Sequence, residues 1–421
     1  MQASRDKRDC ASEVIARCQT LARFSEDTGS IRRTFLSPPM RECQREIAGW
    51  VAHLGVTSRV DAVGNLRIVY PAAQLDAPRL LIGSHLDTVP NAGTYDGVLG
   101  VVLALALLSA IHDRKLPFAI EVVGFSEEEG VRFGTPFIGS RALVSNLDEE
   151  LLSRQDARGI SIRDAIADFG LNPAEISQAA MHEDVLGYIE FHIEQGPVLE
   201  NVNRPLGVVE AIAGQSRVEF TFVGQANHAG TTPMNLRHDA LAAAAEWIGT
   251  VESHAQKTSG LVATVGAIQA NPGAGNVIAG ETRLSLDVRH RSDEERKRAV
   301  DYFVRQAEDI ATRRGLKAKR NVLMDQLAVQ MDPFLVKQVE HAIGQARCEP
   351  YRMVSGAGHD AMILAGKVPS AMIFLRTPGG ISHHPAESVE VGDVEKAIEC
   401  GVHLLEQLAS SSEFQRKTKH A

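Results

Sequence analysis

Two strongly apolar runs, Leu80 to Ser84 and Ala119 to Ser126, flank an almost uninterrupted apolar stretch from Gly97 to Ile111. Short apolar runs bounded by polar segments read as buried strands, and the longer central one as a buried helix. Strand, helix, strand in that order predicts a parallel pair joined by a crossover helix, and hence an α/β fold: a mostly parallel sheet flanked by helices. The central stretch is too short for a bilayer span, so no membrane partner is expected. Ahead of it, Leu66 to Tyr70 adds a further β-type run. Val14, Ile15 and Leu21, then Ile47, Val51 and Leu54, predict helices on either side of a loop at Ser37-Pro38-Pro39.

At 421 residues the chain exceeds what one hydrophobic core ordinarily fills, so two domains are expected. After Gly207 the texture changes to strict alternation in Val218-Glu219-Phe220-Thr221-Phe222. An Ala-rich helix from Asp239 to Val251, strands near Val262 to Val265 and Arg283 to Arg289, and a helix near Asp293 to Arg313 follow. This reads as an α+β unit at 213–328, inserted into a larger domain made of 1–212 and 329–421. The chain rejoins that domain through a helix near Pro333 to Ala346, a strand from Ser370 to Leu375 and a last helix from Val391 to Leu408.

A net charge of −9 argues against a broad nucleic-acid surface, which needs clustered Lys and Arg to displace phosphate counterions. The densest basic run, Arg296-Lys297-Arg298, follows Asp293-Glu294-Glu295 and reads as a solvated helix face. Cys10, Cys18, Cys43, Cys348 and Cys400 are scattered and odd in number, as expected of free thiols in a reducing compartment. The charged start, Arg5 to Asp9, leads into no apolar segment of the kind a secretory signal needs, and a cytoplasmic location is the expectation.

Chemistry concentrates where the predicted strands end. In open α/β sheets, ligands gather beyond the carboxyl ends of strands. His85 follows one strand, Asp96 precedes the helix, and Glu127-Glu128-Glu129 follows the next strand. His192 and the pair His383-His384 come later. A lone histidine on an apolar segment is ordinarily a satisfied core residue. Histidines combined with Asp96 and Glu129 make a donor set that suits divalent zinc, manganese and related ions, with a shared carboxylate able to hold two ions roughly 3.5–4 Å apart. Asp87, two residues beyond His85, is placed to accept the imidazole's other N–H. Adjacent glutamates at a sheet end can divide the work, one binding metal while the other moves protons. The expected chemistry is hydrolysis by metal-activated water.

At these residues the chain resembles the dinuclear metallopeptidase family of aminoacylases and glutamate carboxypeptidases. The likeness is strongest to its amidohydrolase branch of allantoate amidohydrolases and N-carbamoyl-L-amino-acid hydrolases. It runs through Gly83-Ser84-His85-Leu86-Asp87-Thr88-Val89, Phe125 to Phe133, His192-Ile193-Glu194-Gln195-Gly196-Pro197, Ser355 to Ala361 and Gly380-Ile381-Ser382-His383. The resemblance implies two divalent metal ions, zinc or manganese. His85 and His192 would hold one, Glu129 and His383 the other, and Asp96 both, with Glu128 as general base. His384 is the rival to His383 and stays in view.

The resemblance also implies substrate-side groups in the inserted domain: Arg217, His228, Asn276 and Arg289, with Gln195 and His359 from the larger domain. Arginines grip a carboxylate in forked geometry, amides both donate to and accept from a ureido group, and a histidine can polarise a carbonyl. It implies further that the inserted domain serves as a dimerisation or lid domain of a homodimer, with His228 able to act across the dimer. A small anionic ureido substrate fits these groups, allantoate first. An N-carbamoyl-L-amino acid is the alternative. A catalytically silent binding or scaffold protein of the same fold is the reading from another class.

Overall fold

The computed structural model describes residues 7–411, except 75 and 113, together with Phe414. The start of the charged segment at Arg5 lies outside them. Two compact units emerge: one takes in residues up to Glu210, Met331–Met353 and those from Ala357 onward, the other Ala211–Gln330 with Val354–Gly356.

In the larger unit the strand pair expected from the apolar runs is present as Arg79–His85 and Ala119–Phe125, parallel and in register from Arg79↔Ala119 to His85↔Phe125. The helix between them, Val98–Ala110, is buried nearly all round, which is why its sequence shows no polar face. It can lie this close to the sheet because Gly100 has no side chain: a Cβ there would sit 2.0 Å from the Phe191 carbonyl oxygen. Across the sheet the strands run Thr57–Val60, Leu66–Tyr70, Ala119–Phe125, Arg79–His85, Val185–Ile193, Ser370–Leu375 and Leu206–Ile212. The central neighbours are parallel, and antiparallel pairs stand on either side of them.

Some features depart from the sequence reading. Pro38 and Pro39 open the helix Pro38–Val51, where proline's missing N–H costs nothing, so the loop ends at Ser37 rather than spanning the prolines. The strand Val185–Ile193 has no counterpart in that reading. Gly187, Glu190 and His192 interrupt its apolar run, yet from Leu186 on it is buried along its length.

The smaller unit packs the helices Ala240–Lys257 and Asp293–Arg313 against an antiparallel sheet in the order Ile268–Asn271, Glu281–His290, Gly214–Val223, Lys317–Gln326. Trp247, Phe220, Phe222 and Phe303 fill the space between. Asp239 caps the first of these helices by accepting from Leu241 N at 3.0 Å and Ala242 N at 3.1 Å. Asp239→Ala should cost about 1 kcal/mol and lower the midpoint at which this unit melts in a denaturation experiment. Arg296 corrects the expectation of a solvated basic face. Its guanidinium is fully buried, donates to Asp293 at 2.9 Å and pairs with Asp325, because the helix turns this position inward.

Candidate metal centre

His85 closes its strand, and His192 lies one residue from the end of the parallel neighbour, where the pairing Gly83↔Glu190 brings the two histidines level. Both imidazoles are buried. His85 Nδ1 lies 3.0 Å from the Asp87 carbonyl oxygen, and His192 Nδ1 lies 2.8 Å from that of Ile193. A carbonyl only accepts, so each Nδ1 carries a proton and donates it, leaving each neutral ring a bare lone pair on Nε2. Those Nε2 atoms are 3.4 Å apart, and Asp96 Oδ1 lies 3.2 Å from one and 3.9 Å from the other. When these rings are neutral, electron-rich atoms converge here, and a cation, whether metal ion or proton, satisfies them. The donors therefore fit a divalent metal by their chemistry.

The other Asp96 oxygen, Oδ2, is 3.0 Å from His383 Nε2, which is also 3.5 Å from Glu129 Oε1. One carboxylate thus borders two potential ligand groups, His85–Asp96–His192 and Asp96–Glu129–His383. Asp96 can approach because Gly97 follows it at φ 66°, and a Cβ on Gly97 would fall 2.4 Å from the His85 ring. His383 and Gln195 also sit on left-handed backbone, at φ 55° and 59°, a costly conformation that clusters at functional sites. The Gln195 amide donates to both Asp96 oxygens, at 3.1 and 3.0 Å, and its buried Oε1 has no partner among the described residues.

The acidic loop is held by Asp87, whose carboxylate accepts from Glu128 N at 2.9 Å and Glu129 N at 3.0 Å. Asp87 Oδ1 is 3.5 Å from His85 Nδ1, farther than its own backbone carbonyl. The His85 N–H therefore goes to the backbone carbonyl of Asp87 rather than to its carboxylate, as the sequence reading had it, and the carboxylate bonds to the loop carrying the glutamates. Glu128, with His85 and Glu129, forms a third potential ligand group.

Charge in the cluster is unbalanced. Burial, opposed by His85 and reinforced by Glu129, pushes the Glu128 carboxyl well above its ordinary range. Burial and then Asp96 raise Glu129 to about 7. Burial penalises a charge on Asp96, yet its hydrogen bond to His383 and the fields of His192 and His85 hold it below the usual carboxylate range. His383 is raised to about 9, chiefly by that bond, whereas burial lowers His192 to about 4. Burial also works against a charged His85, but Asp87, Glu128 and Asp96 outweigh it and raise its pKa. The carboxylates draw positive charge to this point, and a proton is one form of it.

His359 is buried with its ring edge-on to His192, centroids 4.5 Å apart. His384 is exposed, and its Nδ1 accepts from Ala386 N at 3.1 Å, so it shapes a turn while His383 faces Asp96. Ser382 and Glu387, absent from the sequence candidates, also reach this cluster.

In the smaller unit, Arg217 and Gln215 stand opposite Asp287 and Arg289 on adjacent strands. Asp287 Oδ1 accepts from Arg289 Nε at 2.9 Å. Its Oδ2 accepts from Arg217 Nε at 3.2 Å, from Arg289 Nη2 at 3.2 Å and from Gln215 Nε2. Elsewhere in this unit, Ala229 N donates to the Asn276 carbonyl at 2.9 Å, bringing that loop beside His228. The exposed His228 accepts from Gly230 N through Nδ1 at 3.0 Å, which leaves Nε2 as the ring nitrogen that carries a proton.

The family described as peptidase family M20/M25/M40 matches residues 81–407. Allantoate deiminase 2 from Glycine max is 38% identical over 94% of this chain and 89% of its own length. The N-carbamoyl-L-amino acid amidohydrolase of Geobacillus stearothermophilus is 37% identical over 91% and 95%. Among solved structures, an amidase of the hydantoinase/carbamoylase family from Burkholderia multivorans superimposes with a TM-score of 0.89 at 30% identity, covering 94% of this chain and 97% of its own.

Proposed function

The chain belongs to the metal-dependent hydrolase family M20/M25/M40, and from that premise we propose that it opens a ureido C–N bond, with allantoate as its substrate. The observation that carries this reading is the convergence of His85, Asp96 and His192 with Glu128, Glu129 and His383 in one cluster. Two divalent ions, zinc or manganese, would be held by His85 with His192 and by Glu129 with His383, Asp96 serving both. Bound there, they supply Lewis acidity and lower the pKa of water.

The chain's own residues do the rest. His85 and His192 keep Nε2 available by spending Nδ1–H on carbonyl oxygens. Asp87 fixes the backbone of Glu128 and Glu129. Glu128 takes a proton from the attacking water and returns it to the departing nitrogen as the C–N bond breaks. The products are ureidoglycine, ammonia and carbon dioxide. Arg217 and Arg289 recognise the carboxylate, Asn276 and Gln195 the ureido groups, and His228 donates Nε2–H to the scissile carbonyl. His359 supports the site through His192.

Support for allantoate comes from the polar set Gln215, Arg217, Asp287 and Arg289, which offers more hydrogen-bonding groups than a single carboxylate needs. The second reading, an N-carbamoyl-L-amino acid, is favoured by the Geobacillus stearothermophilus relative at nearly equal identity. The family's hydrolase character and the assembled donor set weigh against a silent binding protein. The test is a metal-reconstituted assay, Mn²⁺ and Zn²⁺ tried separately, comparing allantoate, several N-carbamoyl-L-amino acids and a dipeptide. Allantoate should turn over fastest. Preference for a carbamoyl amino acid selects the second reading, and turnover of the dipeptide alone overturns both.

We further propose a cytoplasmic homodimer paired through the inserted unit, the location supported by the buried Cys18, Cys43 and Cys400, which are free thiols. His228→Ala should lose about 10²–10³-fold in kcat, as expected for one carbonyl-polarising donor. If His228 serves the partner's site, mixing with a Glu128 variant restores part of the activity. No recovery despite measured subunit exchange would rule out action across the dimer.

A further inference from the structure

Among the described residues, every polar bond of the Glu387 side chain goes to a loop that bears a candidate metal ligand. Its carboxylate is buried, 5% exposed for the residue as a whole. Oε1 accepts from Tyr95 N at 2.7 Å and from Asp96 N at 3.1 Å. Oε2 accepts from Ser382 Oγ at 3.2 Å, and that hydroxyl is also 3.3 Å from Asp96 Oδ2. Glu387 N donates to the His384 carbonyl at 3.0 Å, closing the turn that follows His383.

We propose that Glu387 is a positioning residue that clamps the Asp96 loop to the His383 loop and so assembles the Asp96–Glu129–His383 ligand group. The clamp has a reason to exist. His85 and His192 are set by the sheet, being strand residues in paired neighbours. His383 lies outside any strand or helix, its side chain is 48% exposed, and its φ of 55° is one that a non-glycine residue adopts at a cost. Something beyond local preference must hold it opposite Asp96, and the Glu387 carboxylate spans both loops at once. Gly93 adds an independent sign of close fit: a Cβ there would fall 2.3 Å from the Glu387 carboxyl, so the Asp96 loop passes directly over it.

This inference rests on the metal-centre reading proposed above. It predicts an asymmetric defect, because outer partners of ligands typically contribute 10–100-fold in metal affinity. Glu387→Ala should weaken binding by about that factor at the His383 group and leave the His85–His192 group near wild type. Metal counted by mass spectrometry after dialysis against a competing chelator should then fall from two ions per chain toward one. Glu387→Gln should keep both ions, since its amide oxygen can still accept from Tyr95 N and Asp96 N while its N–H donates to the Ser382 hydroxyl. Gly93→Ala, which displaces Glu387 without deleting it, should resemble Glu387→Ala. Circular dichroism and melting of the metal-free variants check that each is folded. Both ions retained at wild-type affinity in folded Glu387→Ala would overturn the proposal, as would Glu387→Gln losing the ion as fully as alanine does. Wild-type protein that takes up no Mn²⁺ or Zn²⁺ at all would instead refute the underlying metal-centre reading.

Discussion

Glu128→Gln is expected to bind metal as the wild type does and to lose about 10²–10⁴-fold in kcat, the range that a general acid–base group supplies. The substitution preserves size and leaves Glu128 N bonded to Asp87 at 2.9 Å, so the acidic loop keeps its course. What it removes is the carboxylate that takes a proton from water and returns it to nitrogen, since an amide is not basic enough to do either. The diagnostic pattern is a fall in kcat with KM and metal content near wild type, read from steady-state kinetics beside metal analysis. Full turnover in this variant would remove Glu128 from its assigned role.

Asp96→Asn should act through a different quantity and more broadly. Asp96 Oδ1 faces His192 and His85, while Oδ2 faces His383, so the change strikes both ligand groups at once. An amide replaces one anionic oxygen with a donor NH₂, which repels a cation on whichever side it turns. The loss of metal affinity should exceed the roughly 10–100-fold of an outer partner, and activity should fall with it. Added Mn²⁺ or Zn²⁺ should restore little. Calorimetric titration of metal-free protein separates this result from that of Glu128→Gln, where binding stays intact. Unchanged binding of both ions would show that Asp96 does not bridge.

How far the site was legible depended on how local each residue's reason was. His85, Asp96 and Glu129 lie at ends of elements whose apolar runs were plain, so position and chemistry pointed the same way. His192 stands out by its chemistry, but its strand does not, because Glu190 and Gly187 break the apolar pattern that would announce it. Glu190 tolerates burial by accepting from Ser84 Oγ at 3.2 Å and Ala361 N at 2.9 Å, partners far away in sequence. Arg296 hides its burial for a similar reason. Its neighbours in the chain are charged, and only the fold supplies Asp325 to its guanidinium.

Local sequence alone determined the parallel strand pair with its buried crossover helix, the Ala-rich helix from Asp239, and the set of imidazoles and carboxylates available for metal. These follow from periodicity and donor chemistry, which act over a few residues. Tertiary structure alone decided which carboxylate oxygen faces which histidine, that Asp87 anchors the glutamate loop, that His383 rather than His384 turns toward Asp96, and that Glu387 ties their loops together. Those outcomes depend on atoms placed within about 3 Å by segments tens to hundreds of residues apart. Hydrogen bonds at that range are set by the packing of the sheet and its loops, and no local pattern encodes them.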